Sequence, residues 1–227
     1  MARREQLPLN SRGLVKFVDG IEKLEKPKSK LICKLLVFTG LRNQAVAHLS
    51  KEWVEDGMNG MQIRVPRESV CDIGESGACA TCSERGGVWV PKSDAGARLV
   101  PVVDEWYDHY NDVRKPSGLP DLLNWFFTEN DVVGGSRNLI NRAVKRAALH
   151  GNLHNEQGRG FVEMDDMPEP VPDVMAHDLR GSWACQCIRS DINKFRIRDW
   201  GGWADVSMLN KYARFVGDVT GDERKKF

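Results

Sequence analysis

Four short segments carry side chains suited to chemistry on a phosphate. Thr39-Gly40-Leu41-Arg42 sets an arginine directly after an apolar run, and Lys92 follows Trp89-Val90-Pro91. His177-Asp178-Leu179-Arg180 places His177 and Arg180 at i and i+3, on one helical face. The segment GGWADVSMLNKY, Gly201 to Tyr212, ends in a tyrosine nine positions after Trp203. A phosphodiester is anionic, and displacement at phosphorus spreads further charge over the non-bridging oxygens. Arginine suits that task because its planar fork donates two parallel hydrogen bonds. Losing one preorganised donor of this kind costs on the order of 3 kcal/mol of transition-state stabilisation. Arg42 and Arg180, converging with Lys92 and His177, would form an anion cage without metal, and Tyr212 would supply an oxygen nucleophile for a covalent intermediate. Each residue alone has an ordinary structural reading. Arginines after glycines are mostly surface residues, HxxR arises by chance in helices, and Trp203 is by default core. Tyr212 by itself reads as a half-buried aromatic with a wet hydroxyl. Their combination and order carry the chemical reading.

The elements that must position these groups follow from apolar periodicity. Residues 11–24 read as an amphipathic helix with Leu14, Phe17, Val18, Ile21 and Leu24 on one stripe and Ser11 as cap. After a Lys-Pro-Lys linker, 29–39 is apolar almost all round, as in a buried helix, and Gly40 breaks it before a further helix from Arg42 to Leu49. Strand-like pieces follow at Met61–Val65, Gly87–Pro91 and Arg98–Val102, the last two reading as a β-hairpin with Lys92 at its tip. Helices are expected at 103–113 and 135–149, a Gly-, Pro- and acid-rich loop at 151–173, and closing helices near 176–190, 191–200 and 204–216. The expected class is α+β, mainly α, with a small antiparallel sheet on one edge.

The chain has 227 residues, 41% hydrophobic and 29% charged, which suits one packed domain with arms. No apolar run is long enough to cross a bilayer and the N-terminus lacks a secretory pattern, so the sequence reads as soluble and intracellular, with no membrane partner. The formal net charge is +1, so any polyanion partner must be met by a local face rather than by the whole surface. Arg137, Arg142, Lys145, Arg146, Arg189 and Lys194 are the candidates for following a DNA backbone, with Arg142 and Arg146 one turn apart. The six cysteines do not form a disulfide framework. Cys79-Ala-Thr-Cys82 has zinc-ligand spacing and Cys71 supplies a third thiol, but the fourth ligand is not visible and a histidine would have to come from elsewhere in the fold. A surface insertion with reduced thiols and no metal is the preferred reading. Cys185 and Cys187 point to different helix faces.

The ordered set TGLR (to Arg42), WVPK (to Lys92), HDLR (177–180) and GGWADVSMLNKYARF resembles the tyrosine recombinase, or phage integrase, family from about Ser29 to Phe215. The hairpin wording is also similar to integrases of halophilic archaea and their mobile elements. The resemblance implies a helical catalytic domain over 29–216, with an N-terminal arm and first helix at 1–28, a Cys-containing insertion at 66–87 and a tail at 217–227. It implies site-specific recombination of double-stranded DNA through a 3′-phosphotyrosyl bond to Tyr212, with Arg42 and Arg180 clamping the phosphate and Trp203 donating to it. His177 would assist proton handling, and Lys92 would protonate the leaving 5′-hydroxyl. No cofactor is implied, since phosphotyrosyl exchange conserves the phosphodiester energy and the chain has no Walker-type loop. A homo-tetramer on paired sites, a monomer off DNA, and a cytoplasmic, nucleoid-associated location go with it. There are departures. Ala45 stands where members place an acidic brace for the first arginine, leaving Gln44 as candidate brace. The interval from Arg42 to His177 is long, and only about 28 residues precede the buried helix where members carry a core-binding domain. A type IB topoisomerase and a non-catalytic DNA-binding module are the alternatives.

Overall fold

The computed structural model describes residues 7–74, 77–154, 160–165, 167 and 169–216. Helix α1 (Ser11–Glu22) is capped by Asn10, whose Oδ1 accepts from the Gly13 amide at 2.7 Å. Ser11, the expected cap, is instead the first helical residue and is buried. Helix α2 (Pro27–Thr39) starts inside the expected linker, because Pro27 has the φ a first turn needs and no amide to waste. It buries Leu31, Ile32, Leu35, Leu36, Val37 and Phe38, each worth roughly 1.5–3 kcal/mol of transfer free energy. Its one buried cation, Lys34, reaches out to the Ser117 carbonyl and the Glu22 carboxylate. Gly40 ends α2 at φ 60°, and α3 (Asn43–His48) follows at once.

A three-stranded antiparallel sheet comes next, built from β1 (Val54–Gly57), β2 (Gly60–Val65) and a later strand that returns to β2 after a long excursion. The excursion contains β3 (Ser69–Val70), α4 (Ala80–Ser83) and β4 (Val88–Trp89) before β5 (Arg98–Pro101) closes the sheet in the order β1-β2-β5. The expected hairpin of Gly87–Pro91 with Arg98–Val102 does not form: β4 pairs with β3, and β5 pairs with β2. Ile63 and Val100, both fully buried, face each other across β2 and β5, and that apolar pair sets the register. Residues 103–113 are not a helix either. They supply β6 (Glu105–Asp108) and the turn into β7 (Val113–Pro116). Trp106 and Asp108 are buried while Glu105 is exposed, a period of two. The Asp108 carboxylate accepts from the amides of Tyr110 and Asn111, which makes the turn.

Helix α5 (Leu119–Glu129), absent from the sequence reading, buries Leu119, Leu123, Phe126 and Phe127. Helix α6 (Arg137–His150) packs on α1 and α2. The expected loop over 151–173 holds a short ladder of β8 (Phe161–Val162) with β9 (Val171–Pro172), and parts of it lie outside the described residues. Three helices close the domain: α7 (Ala176–Arg189), α8 (Lys194–Gly201) and α9 (Asn210–Val216). Helix α7 contacts α2, α8 and α9, and so joins the main core to a smaller cluster of Trp183, Cys185, Cys187, Ile197, Trp203 and Leu209 around Tyr212. The result is mainly helical with small antiparallel sheets, as expected from the sequence.

Candidate active site

Gly40 fixes the first arginine. Its left-handed backbone ends α2, and a Cβ there would stand 2.3 Å from the Trp183 ring. The chain therefore turns sharply, and Arg42 becomes the N-cap residue of α3, with Nη2 donating to the Gly202 carbonyl at 2.9 Å. Gln44, the candidate brace, is exposed. The Gly202 carbonyl takes that place, which explains how Ala45 can be buried where an acid was expected.

Arg180 lies one turn into α7 and is only 3% exposed. It donates to the carbonyls of Gly40 and Gly201, both at 2.5 Å, and its Cζ lies 4.5 Å from the centroid of the Trp203 ring. The aromatic face supplies cation–π attraction to a guanidinium stripped of water. Asp178, between His177 and Arg180, is structural: its carboxylate accepts from the amides of Met175 and Leu7.

The sequence reading missed a third arginine. Arg98, at the start of β5, donates to the Trp200 carbonyl at 2.6 Å and the Gly96 carbonyl at 2.7 Å. Its Nη2 is buried with no hydrogen-bond partner. None of Arg42, Arg98 and Arg180 forms an ion pair among the described residues. Burial, then repulsion from Arg42, pushes the Arg98 guanidinium down to about 9. Arg180 is lowered by burial and by both other arginines, and Arg42 by burial, while Tyr212 opposes the shift in each. Three cations held by backbone carbonyls, close enough to repel one another, make a preformed site for an anion.

Tyr212 is 1% exposed, with its ring 5.6 Å from that of Trp203. Arg42, Arg180, Trp203 and Tyr212 are thus assembled from segments far apart in sequence. Lys92 is exposed and makes no hydrogen bond or ion pair among the described residues. It is not at a hairpin tip but on the strand-free run before a 3₁₀ turn, Asp94–Gly96. That turn lies against the cage: a Cβ on Gly96 would be 3.7 Å from Arg42 Nη1, and one on Gly202, at φ 63°, would meet the Ala95 carbonyl at 2.7 Å. His177 is exposed in the first turn of α7.

No protein-family model matches the sequence, and no curated protein matches it. Solved structures do match. The catalytic domain of bacteriophage HP1 integrase is similar at TM-score 0.53 and 14% identity, over 93% of this chain and 89% of that one. The chain has the fold of a tyrosine recombinase catalytic domain. Two larger proteins agree: XerH recombinase bound to palindromic difH substrate (TM-score 0.58, 17% identity, 95% of this chain) and the Tn1549 transposon integrase with a circular intermediate DNA (TM-score 0.61, 12% identity, 93%). The chain spans 51% of the XerH chain and 62% of the Tn1549 chain.

On this tyrosine recombinase fold the six basic residues expected to follow DNA divide. Arg137, Arg142 and Lys194 are exposed and Arg146 is half-buried. Lys145 is 8% exposed and pairs with Asp173 at 3.2 Å, so it belongs to the packing of α6 against β9. Arg189 turns inward, donating to the Phe215 carbonyl on α9. One group among the described residues has metal-ligand geometry, His48 with Cys71, Cys79 and Cys82, and it contains no member of the arginine cage. Nor is any helix among the described residues long and apolar enough to cross a membrane.

Proposed function

We propose that this domain cleaves and rejoins double-stranded DNA as a site-specific recombinase, through a 3′-phosphotyrosyl bond to Tyr212. The observation that carries the reading is the convergence of three guanidiniums without a carboxylate, one with a buried unsatisfied donor, beside a tyrosine. Arg42, Arg98 and Arg180 hold the non-bridging oxygens. The Trp203 indole N–H, which makes no hydrogen bond among the described residues, donates to one of them. The Tyr212 oxygen attacks phosphorus, the 5′-oxygen leaves, and Lys92 gives it a proton while His177 assists proton handling at the phosphate. Attack by a 5′-hydroxyl of a second duplex reverses the bond changes and joins the strands, so no nucleotide energy is consumed. Because Tyr212 is buried off DNA, binding must shift the short helix α9 to bring the phenol to the phosphate. Assembly as a tetramer on paired sites belongs to the same proposal, and the 217–227 tail lies outside the described residues.

The test uses a pool of duplexes with randomised sequence around a nick placed to trap the covalent state. The wild-type chain is expected to yield a protein–DNA species that survives denaturant, and sequencing the trapped DNA would give the target site. Tyr212→Phe is expected to retain DNA binding and yield no adduct; an adduct that persists in this variant would remove Tyr212 from its role. Relaxation of supercoiled plasmid without joining of two duplexes would reassign the pocket to a topoisomerase.

A further inference from the structure

The excursion between β2 and β5 carries Cys71, Cys79 and Cys82, which by sequence have zinc-ligand spacing but lack a visible fourth ligand, so that reduced thiols in a surface insertion are the preferred reading. Two of them, Cys71 and Cys82, are buried in the main core, and Cys79 is half-buried as the N-cap residue of α4. All three sulfurs face one atom. His48 Nε2 lies 3.3 Å from Cys71 Sγ, 3.7 Å from Cys79 Sγ and 3.4 Å from Cys82 Sγ, and the four ligand atoms lie within 4.8 Å of one another. From this we infer that His48, Cys71, Cys79 and Cys82 form a closed, tetrahedral zinc site that pins the β2–β5 excursion to helix α3.

Three physical points carry the inference. The distances fit: zinc bonded to sulfur at about 2.3 Å and to nitrogen at about 2.0 Å in a tetrahedron implies S···N edges of roughly 3.5 Å. The three separations found here bracket that edge.

The protonation pattern fits as well. His48 Nδ1 lies 2.8 Å from the Gln44 carbonyl, which can only accept, so Nδ1 carries the proton and Nε2 presents its lone pair to the sulfurs. A single lone pair can accept from only one thiol, so three thiols gathered on it would leave two without that partner. A divalent cation among three thiolates and one imidazole satisfies all four at once. The Cys79 amide also donates to Cys71 Sγ at 3.3 Å, the kind of contact that steadies a thiolate ligand.

The surroundings fit last. The His48 ring stacks on Trp89 at 5.5 Å and 26°, and Trp89 packs on Trp53 at 4.9 Å. The nitrogen ligand is thereby held from both sides, by the Gln44 carbonyl and by an indole. Four protein ligands leave no open position for water or substrate, so the site is structural. Three soft thiolates with one imidazole favour zinc over magnesium or calcium.

The placement gives the site a consequence for the arginine cage. Arg42 caps the start of helix α3, and His48 ends it. The excursion runs from the cysteines through Trp89 to Lys92 and the Asp94–Gly96 turn, where a Cβ on Gly96 would stand 3.7 Å from Arg42 Nη1. One metal ion thus clamps the two segments that deliver Arg42 and Lys92. Metal binding itself does not depend on the recombinase reading, and the test needs no DNA.

The 227-residue chain, purified under reducing conditions without chelator, is analysed for metal and titrated with a mercurial in the presence of a zinc-sensitive dye. About one zinc per chain is expected, released as the thiols are modified. Apo protein reconstituted with Co(II) is expected to show intense visible bands of tetrahedral cobalt and a near-ultraviolet thiolate-to-cobalt band. Cys79→Ser and His48→Ala are expected to lose most of the zinc, whereas Cys33→Ala, outside the cluster, keeps it. Should the ligand variants fail to fold, the wild-type metal content and cobalt spectrum still decide. Absence of zinc from chain produced in zinc-supplemented medium, with no cobalt bands on the freshly reduced protein, would overturn the site. Zinc retained undiminished in folded Cys79→Ser and His48→Ala would overturn the ligand set.

Discussion

At the scale of single residues, Arg98 separates the cost of the pocket from its use. Its guanidinium is desolvated, repelled by Arg42 and one hydrogen bond short. In the free protein that is destabilising; with a phosphate present it becomes attraction. Arg98→Met keeps the stem and removes the charge, so it is expected to leave the thermal midpoint of the free protein unchanged or higher. The same substitution should abolish most of the stabilisation that sulfate or phosphate gives the wild type, and slow adduct formation by about 10²–10³-fold. A wild-type midpoint indifferent to both anions would contradict an anion cage. The pH dependence has a definite sign. Burial and the neighbouring Arg42 depress the folded pKa of Arg98 to about 9, so its charge is complete below that pH and is lost as pH rises through it. Anion stabilisation should therefore fade above about pH 9. In the free protein Arg98 contributes the opposite slope, because from about 9 up to the ordinary arginine range the unfolded chain holds the extra proton and stability rises with pH. Arg42, Arg180, Trp203 and Tyr212, which the fold brings together, could be named as candidates from the sequence because each sits in a worded motif. Arg98 was not, since a lone arginine opening a strand carries no local signal. His48 was hidden for a related reason: its partners lie 23 to 34 positions away, and only the fold brings them to it.

At the scale of elements, the ends of helices do most of the positioning. The turn at Gly40 ends α2, aims Arg42, and offers the carbonyl that holds Arg180. Gly40→Ala combines a left-handed backbone with a Cβ 2.3 Å from the Trp183 ring. The strain of αL and of overpacking is each on the order of 1–3 kcal/mol. Denaturant unfolding should show a loss of at least about 1 kcal/mol, and adduct yield should fall as well. A variant as stable as wild type would mean that Trp183 yields more easily than its packing suggests. Helices with a full apolar stripe, such as α1, α2 and α6, were readable from periodicity within a few residues. Strand partners were not. The pieces at 87–91 and 98–102 look like a hairpin because they are close in sequence, yet the buried Ile63–Val100 pair draws β5 to β2 across the whole excursion. Residues 103–113 misled for a different reason: Trp106 and the buried Asp108 alternate with period two, but the buried acid disguises the apolar phase. Helix α5 went unread although Leu119, Leu123, Phe126 and Phe127 lie on one face, because Pro116, Gly118 and Pro120 break the apolar pattern where it begins.

At the scale of the whole molecule, a net charge of +1 conceals an uneven division of labour among the cations. Some are committed to the interior, as Lys145 is to Asp173 and Arg189 to the Phe215 carbonyl. Others, including Arg137, Arg142 and Lys194, stand in solvent where a DNA backbone could displace their counterions. The two groups should respond differently to the same substitution. For DNA binding measured across a salt series, Arg142→Ala is expected to weaken affinity and reduce the slope of log K against log salt by about one. Lys145→Ala should leave that slope unchanged and instead lower stability by about 1 kcal/mol, because its pair with Asp173 is only partly screened by solvent. If Lys145→Ala flattened the salt dependence while Arg142→Ala did not, the exposed end of α6 would not be the face that meets DNA. The buried pair would then have to open on binding, and the division between structural and DNA-facing cations drawn from the free protein would be reversed.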